Sequence, residues 1–350
     1  MDLVNSLGGR LLFAIPKKGR LQQAALDLLR GADIQFRREN RLDIALVKNL
    51  PLALVFLPAA DIPTFVGEGR VDLGITGYDQ VQEHDANVRA VGRARSASVG
   101  PDAAAAAAAV AAGAGAGAGA TPAPTMPKGC ETVMELGFGD CKLQVQVPEK
   151  GSYAEPSDLI GKNIGTSFVH LAEEYFARLE QAQDGAAAAA APLTPRKLRT
   201  KIVELSGSVE AACALGVADG IVDLVESGET MKAAGLKPID TVVESTAILI
   251  KSKTPSNPEL VDLIASRIGG VITAQKYVLC LYNVPRSQLT AAVAITPGKR
   301  APTITSLDEA NWVAVSAMVE HKKVATVMDE LVKVGATDII VLDIHNTRSS

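Results

Sequence analysis

The chain has 350 residues, 47% of them hydrophobic and 4% aromatic, with a formal net charge of −4. That length supports two or three domains with cores of their own, and the mild negative charge gives no general attraction to nucleic acid or anionic membrane. Four scattered cysteines without a CxxC pair, four histidines without HExxH or HxH spacing, no long apolar run and no secretory pattern argue against a disulfide framework, a zinc site or membrane insertion; a cytoplasmic protein is expected.

Residues 10–90 alternate strand and helix patterns. Leu11 to Ile15 is a continuous apolar run ending at Pro16, suited to a buried parallel strand. A basic turn follows, then helical spacing from Leu21 to Leu29, stopped near Gly31. Leu52 to Leu57 predicts a second buried strand, Ile62 to Gly69 a short helix, and Val71 to Ile75 a third strand. Strands alternating with helices predict an open α/β sheet. Composition changes after 92. Between Pro101 and Ala120, seventeen of twenty residues are Ala or Gly, and Pro122, Pro124 and Pro127 follow. Such a mixture buries too little apolar area to offset its backbone entropy, so 93–127 is expected to be a disordered surface insertion. Ala186 to Ala191 predicts a second, smaller loop expansion.

The βα pattern resumes with strands at Cys141 to Val147, Asn163 to Ser167, Lys201 to Leu205 and Gly220 to Val225. Helices are expected over Leu171 to Leu179 and Val209 to Leu215. Glu244 to Lys251 predicts a strand returning to the first lobe, and Pro258 to Ile272 a connecting helix. In the last 75 or so residues, strands at Tyr277 to Tyr282, Trp312 to Val319 and Ile339 to Ile344 and helices at Ser287 to Ile295 and Lys322 to Val334 predict a βαββαβ, ferredoxin-like unit. The expected division is 1–92 as lobe I (rejoined at 245–271), 128–244 as lobe II, and 272–350 as the final domain.

Three clusters carry candidate chemistry. In Ile221 to Met231 a buried strand leads into Glu226-Ser227-Gly228-Glu229-Thr230, whose backbone N–H groups and hydroxyls can converge on a phosphate, with Gly228 permitting close approach. Asp223, just upstream, is placed to accept from sugar hydroxyls. An ordinary turn with a Ser/Thr helix cap explains the same residues equally well. Lys17, Lys18 and Arg20 lie at a strand's carboxyl end, where α/β folds bind ligands, and can neutralise a polyphosphate; a solvated basic turn is the commoner use of such a cluster. Asp61, Thr76 and Gly77 form a third group, in which Asp61 has the alternative of capping the helix that contains Pro63. No Ser, Cys or His stands in a nucleophile arrangement, and His170 is expected to be an ordinary helix-start residue. This favours transfer chemistry in which the substrates supply nucleophile and leaving group.

Taken together, these segments resemble the ATP phosphoribosyltransferase family of histidine biosynthesis. The stretches that carry the resemblance are Ala14 to Leu21, Asp61 to Pro63, Val71 to Gly77, Gly165 to Ser167, Gly207 to Glu210, Ala218 to Met231, Tyr282 to Pro285, and Thr296 to Gly298 with Ala301 to Ile304. The likeness spans about 10–92, 128–180 and 198–350. It implies two periplasmic-binding-protein-like lobes with the active site between them, plus a C-terminal regulatory domain. It also implies ATP and phosphoribosyl pyrophosphate (PRPP) as substrates, Mg²⁺ as cofactor, histidine as feedback inhibitor, and dimers to hexamers of the same chain. By position, Glu226, Ser227, Gly228, Glu229 and Thr230 would take the 5-phosphate and Asp223 the ribose. Lys17, Lys18 and Arg20, with Asp61, Thr76 and Gly77, would serve ATP and pyrophosphate; Lys17, Arg20 and Asp223 would be catalytic. Asn283, Pro302 and Thr303 fall where the family's histidine pocket lies, Asn283 standing where an acidic residue would hold an amino group better. Two rivals remain: a two-lobed binding module without catalysis, and a phosphoribosyltransferase acting on another base.

Overall fold

An apolar run that leaves no polar face belongs at the centre of a sheet, and Leu11–Pro16 (β1) lies there, paired in parallel on its two edges with β3 (Leu52–Leu57) and β4 (Leu73–Gly77). In this computed structural model, residues 7–38, 42–98, 129–185 and 198–348 are described, with side chains left out at 94–98. Most of the expected insertion and all of the Ala186–Ala191 tract therefore lie outside the described residues. At 93–98, however, the chain is helical.

The chain packs as two compact units: Met1–Gln22, Arg38–Ala45 and Leu52–Asn257 form the first, and Gln23–Arg37, Leu46–Pro51 and Pro258–Ser350 the second. The first unit holds two sheets. One has the order β2-β3-β1-β4-β11-β5, with β2 at Ile44–Leu46, β5 at Glu131–Glu135 and β11 at Ala247–Lys251. The other has the order β10-β6-β9-β7-β8, with β6 Cys141–Pro148, β7 Asn163–Thr166, β8 Lys201–Glu204, β9 Gly220–Val225 and β10 Leu236–Ser245. The chain passes from β5 to β6 through 136–140 and returns from β10 to β11 at Thr246. The run expected as one strand from Glu244 to Lys251 is thus split between the sheets. The two passages are bonded to each other: Phe138 O accepts from Ala247 N at 2.9 Å and from Thr246 Oγ1 at 3.0 Å, and Leu136 N donates to Ala247 O at 2.9 Å. Two α/β lobes joined by paired crossings make up the periplasmic-binding-protein-like architecture.

Helix α1 (Arg20–Gly31) follows β1, α2 (Ile62–Gly67) follows β3, and α3 (Tyr78–Ser98) follows β4. α3 is long and was not predicted. It reaches the second lobe, where Ala86 sits in the core with Leu143, Val145 and Phe176. There it packs on α4 (Val169–Gln183), and the Glu83 carboxylate accepts the N–H groups of His170 at 2.8 Å and Leu171 at 2.9 Å. These are otherwise unpartnered donors at the start of α4. Burial pushes the Glu83 carboxyl up, and those two N–H bonds oppose the rise. Further along, Arg89 and Arg93 bind Glu174, with contacts of 3.0 and 2.7 Å; burial alone would raise this carboxyl, but the guanidinium groups outweigh it and hold it low.

The second unit carries the antiparallel sheet β13-β14-β12-β15: β12 Tyr277–Pro285, β13 Thr303–Ser306, β14 Trp312–Glu320 and β15 Thr337–Asp343. With α7 (Leu289–Ile295) and α8 (Val324–Lys333), this is the expected βαββαβ order. Alternation is strict: Val278, Cys280, Tyr282 and Val284 face the helices, opposite Val313, Val315 and Val319, while Leu281 and Asn283 lie on the other face. α6 (Pro258–Lys276) precedes β12.

Candidate active site

In the second sheet, the parallel strands β9, β7 and β8 lie side by side, with β7 and β8 ending level at Thr166 and Glu204 and β9 running on to Val225. The space beyond such carboxyl ends is where open α/β sheets bind ligands. Thr166 is buried and spends its hydroxyl on structure, donating to Val222 O at 2.7 Å and accepting from Phe168 N at 2.9 Å. Ser167, next to it, is exposed. Past β8, Gly207 leads to Ser208, whose φ of 50° is left-handed, and a single 3-10 turn at Val209–Ala211 replaces the longer helix expected. Past β9, Gly228 has φ 77°, a conformation that favours glycine, and the short helix α5 (Glu229–Ala233) begins. Both bends rest on one apolar cluster of Val209, Ala212, Ile221, Met231 and Leu236.

Asp223 lies on the Ile221 and Val225 side of β9, the side of that cluster. Burial pushes its carboxyl up to about 6, the Leu224 N–H at 2.8 Å pulls it down, and the charge of Glu210 adds to the rise. Gln146 Nε2 also donates to the Asp223 backbone carbonyl at 3.2 Å. A carboxyl held near neutrality beside a second acid is the kind of perturbation that collects at functional sites. Ser227 Oγ accepts the Glu229 N–H at 3.4 Å, a local turn contact; Ser227, Glu229 and Thr230 are exposed.

A cavity of about 640 Å³ is lined from both sheets, including Thr132 and Ile248 of the first and Cys141 and Val225 of the second. Its wall carries the carboxylates of Glu135, Asp140, Glu226 and Glu244 and the ammonium of Lys142. Lys142 is paired with Glu244 at 2.7 Å. Of the site residues predicted from sequence, Glu226 is in this wall. Among the described residues, no three His, Cys, Asp or Glu side chains gather to hold a metal ion.

The basic turn divides. Lys17 is in an ion pair with Asp43 at 2.7 Å, both half exposed, and Lys18 is exposed. Arg20 turns toward the crossing segment: Nη1 donates to Gly139 O, Nη2 donates to Cys141 Sγ at 2.8 Å, and Asp79 Oδ1 lies 3.8 Å from Nη2. Asp61 is exposed at the start of α2 and makes no side-chain cap bond, so the capping alternative is not realised. Thr76 is buried with its hydroxyl on Ala59 O at 2.8 Å, and Gly77 is buried behind it. These two support the wall and do not present a turn to the cleft. In the second unit, Asn283 Nδ2 donates to Asp338 Oδ2 at 3.0 Å, so a carboxylate does stand beside the amide. Register pairs Asn283 with Ala314 and Thr303 with Ser316, which puts Asn283 and Thr303 on the same open face with β14 between them. Pro302 precedes β13 and is half-buried.

A family profile described as ATP phosphoribosyltransferase matches residues 58–111 and 123–270, and a second, described as the HisG C-terminal domain, matches 274–346. Among curated relatives, the ATP phosphoribosyltransferase of Yarrowia lipolytica is 56% identical over 348 residues, covering 99% of this chain and all of the relative. That of Saccharomyces cerevisiae is 51% identical over 349 residues, again covering 99% and 100%. This chain belongs to the ATP phosphoribosyltransferase family. It is therefore a pentosyltransferase of histidine biosynthesis. A solved phosphoribosyltransferase, the HisG:HisZ complex of Thermotoga maritima, aligns with a TM-score of 0.50 at 19% identity, over 74% of this chain and 96% of that one, a likeness of fold. Among the described residues of this phosphoribosyltransferase, no helix is long and apolar enough to cross a membrane. Asp79, Cys141, Ser245 and Glu210 carry no role that the sequence alone assigns. Nothing in their local sequence marks the first three, since each acquires its partners from a distant segment.

Proposed function

We propose that this enzyme transfers the phosphoribosyl group of PRPP to N1 of the adenine of ATP, releases pyrophosphate in the first step of histidine biosynthesis, and is inhibited by histidine. One observation carries the reading: the Gly228 bend after β9 and the Ser208 bend after β8 flank the end of β7 and rest on one apolar cluster, with the raised Asp223 carboxyl on β9 feeling the charge of Glu210. Backbone N–H groups of 227–230 with the Thr230 hydroxyl take the 5-phosphate, and Asp223 with Glu210 meets the ribose hydroxyls. Asp223 also stands where a carboxylate offsets the positive charge that develops on the ribosyl carbon as its bond to pyrophosphate breaks. Adenine N1 carries no proton, so the transfer needs no general base; binding and orientation do the work.

The departing polyphosphate needs cations. Lys17, Lys18 and Arg20 supply three at the end of β1, with Asp61 nearby in the same lobe. Mg²⁺ would arrive on the substrate phosphates, and Glu226 and Asp140 of the cavity wall are the carboxylates that would meet it there. When bound, that ion would neutralise charge on the pyrophosphate oxygens. Histidine is assigned to the open face of the last sheet, where Thr303 and the Asn283–Asp338 pair offer a hydroxyl, an amide and a carboxylate. The assembly is proposed to be a homo-oligomer, dimer to hexamer, in the cytoplasm, and the working division is lobe I, lobe II and the final domain as drawn from the sequence.

The test is incubation of the purified protein with ATP, PRPP and Mg²⁺ while following the ultraviolet change of an N1-substituted adenine. Growth of that band, dependent on all three and suppressed by histidine, is expected. No change would leave the two-lobed binding module standing, and activity with another base in place of ATP would move the enzyme to the other rival.

A further inference from the structure

Asp79 is the most deeply buried carboxylate beside the cavity, at 1% exposure, and an ionised group that far from water requires compensation. It has three partners. Ser245 Oγ donates to Asp79 Oδ1 at 2.5 Å, Gln80 Nε2 donates to Oδ2 at 2.6 Å, and the Arg20 guanidinium stands 3.8 Å from Oδ1. The Asp79 backbone N–H in turn donates to Ser245 Oγ at 2.9 Å, so serine and aspartate hold each other at two points. An independent sign of the arrangement is Gly77: a Cβ there would come within 2.2 Å of Asp79 Oδ1, so the chain is bare where the carboxylate needs room. The three residues come from three places: Arg20 from the start of α1, Asp79 from the start of α3, and Ser245 from the end of β10 at the return crossing. Their common neighbour is Cys141, which lines the cavity together with Ser245 and takes a hydrogen bond from Arg20. Burial raises the Cys141 thiol, with Arg20 and Ser245 opposing, so this part of the wall is a neutral S–H in contact with a cation.

We propose that Asp79, with Ser245, is a positioning residue for the transferase reaction: it fixes the Arg20 guanidinium against Cys141, directly behind the wall of a cavity dominated by carboxylates. A triphosphate or departing pyrophosphate must enter a space walled by Glu135, Asp140, Glu226 and Glu244, and a flexible arginine would lose much of its effect to rotamer entropy and solvent. Pinned from behind by a buried carboxylate, its charge is set before substrate binds. The proposal rests on the phosphoribosyl-transfer reading above.

A double-mutant cycle on the full chain tests it. Asp79→Asn, made in the wild-type protein and in an Arg20→Gln background, is assayed for N1-phosphoribosyl transfer with ATP, PRPP and Mg²⁺, alongside thermal melting. In the wild-type background kcat should fall at least tenfold while the KM values for ATP and PRPP stay within threefold; in the Arg20→Gln background the same change should alter kcat less than twofold. Equal losses in both backgrounds, or a loss confined to KM, would overturn the proposal, because a merely structural carboxylate acts without reference to Arg20. If Asp79→Asn does not fold, Ser245→Ala carries the same comparison, and no loss, or an equal loss in both backgrounds, sinks the idea. Inactivity of the wild-type protein overturns both readings, whereas an active wild type with additive variants removes this one alone.

Discussion

The role proposed for Asp223 comes at a cost to the fold. Its carboxyl is raised to about 6, and in the unfolded chain an aspartate titrates near 3.9. A carboxyl whose folded value lies above the unfolded one favours the native state while protonated. That contribution is complete below about pH 4 and is lost as pH rises through 6. Above that, the ionised group costs on the order of 3 kcal/mol relative to a neutral one, about 1.4 kcal/mol for each tenfold in proton affinity. Asp223→Asn keeps an oxygen for the Leu224 N–H, so it should stabilise the protein at pH 8, and the gain should fade toward pH 4 while transfer activity is lost. Urea midpoints at the two pH values check this, and an equal gain at both would contradict it. Gly228 makes the complementary case. Its φ of 77° is disfavoured for other residues, yet a Cβ would meet only ordinary contacts, Met231 at 3.7 Å and Val225 at 3.8 Å. Gly228→Ala should therefore cost only about 1 kcal/mol in stability. Gly228→Asp would add a charge facing the incoming phosphate and should raise the KM for PRPP at least tenfold with the fold retained; unchanged PRPP kinetics would take the bend out of the site. Thr230→Ala should weaken the same step less.

At the scale of the element, what the sequence reveals depends on whether an element's partners are close in the chain. β1 and β3 are visible because a strand buried on both faces is apolar throughout, and β9 because Asp223 is the one break in its run. α3 is not, because it crosses from one lobe to the other and spends Glu83 on the start of α4 and both Arg89 and Arg93 on Glu174, so no apolar stripe of helical period develops. β10 hides for another reason: it contains Pro238 and two register shifts against β6, which break the alternation a strand is read by. The bend after β9 was legible from its glycine, whereas the Arg20–Asp79–Ser245 group was not, since its members come from three distant segments of the chain. α4 offers an element-scale test. Glu180, near its end, accepts N–H from Arg199 at 3.0 Å and from Thr200 at 2.8 Å, and the Thr200 hydroxyl at 2.8 Å. Burial pushes this carboxyl up, but the donors prevail and hold it below its usual value, so its stabilisation is present above about pH 4.5 and is lost as pH falls through the lowered folded value. Glu180→Ala leaves the buried Thr200 N–H unpaired and should cost roughly 2–3 kcal/mol at pH 7, less at pH 3, read from denaturant midpoints. A pH-independent loss would point to packing instead.

For the whole molecule, the partition of the chain decides how regulation can be examined. The natural experiment on a C-terminal regulatory domain is to delete it, and from the sequence a cut near 272 looks clean. The second compact unit, however, includes Gln23–Arg37 and Leu46–Pro51 as well as Pro258–Ser350. In it Gly31 lies against Val271, where an added Cβ would be 3.0 Å from Cγ1, and Asn346 Nδ2 donates to Gly31 O at 2.9 Å. A deletion at 272 would strip the final strands from segments that belong to the N-terminal part of the sequence, including the apolar Leu29 and Ile34, both buried. Loss of activity in such a truncation would then report unfolding as readily as lost regulation. Point changes on the open sheet face avoid this, because Asn283 and Thr303 lie outside the apolar cluster beneath the helices. Asn283→Ala should free the Asp338 carboxylate from its amide partner and Thr303→Ala should remove the hydroxyl across β14. Each should raise the histidine concentration for half-inhibition at least tenfold while leaving histidine-free kcat within twofold. Full histidine sensitivity in a folded double variant would put the inhibitor site elsewhere in the chain.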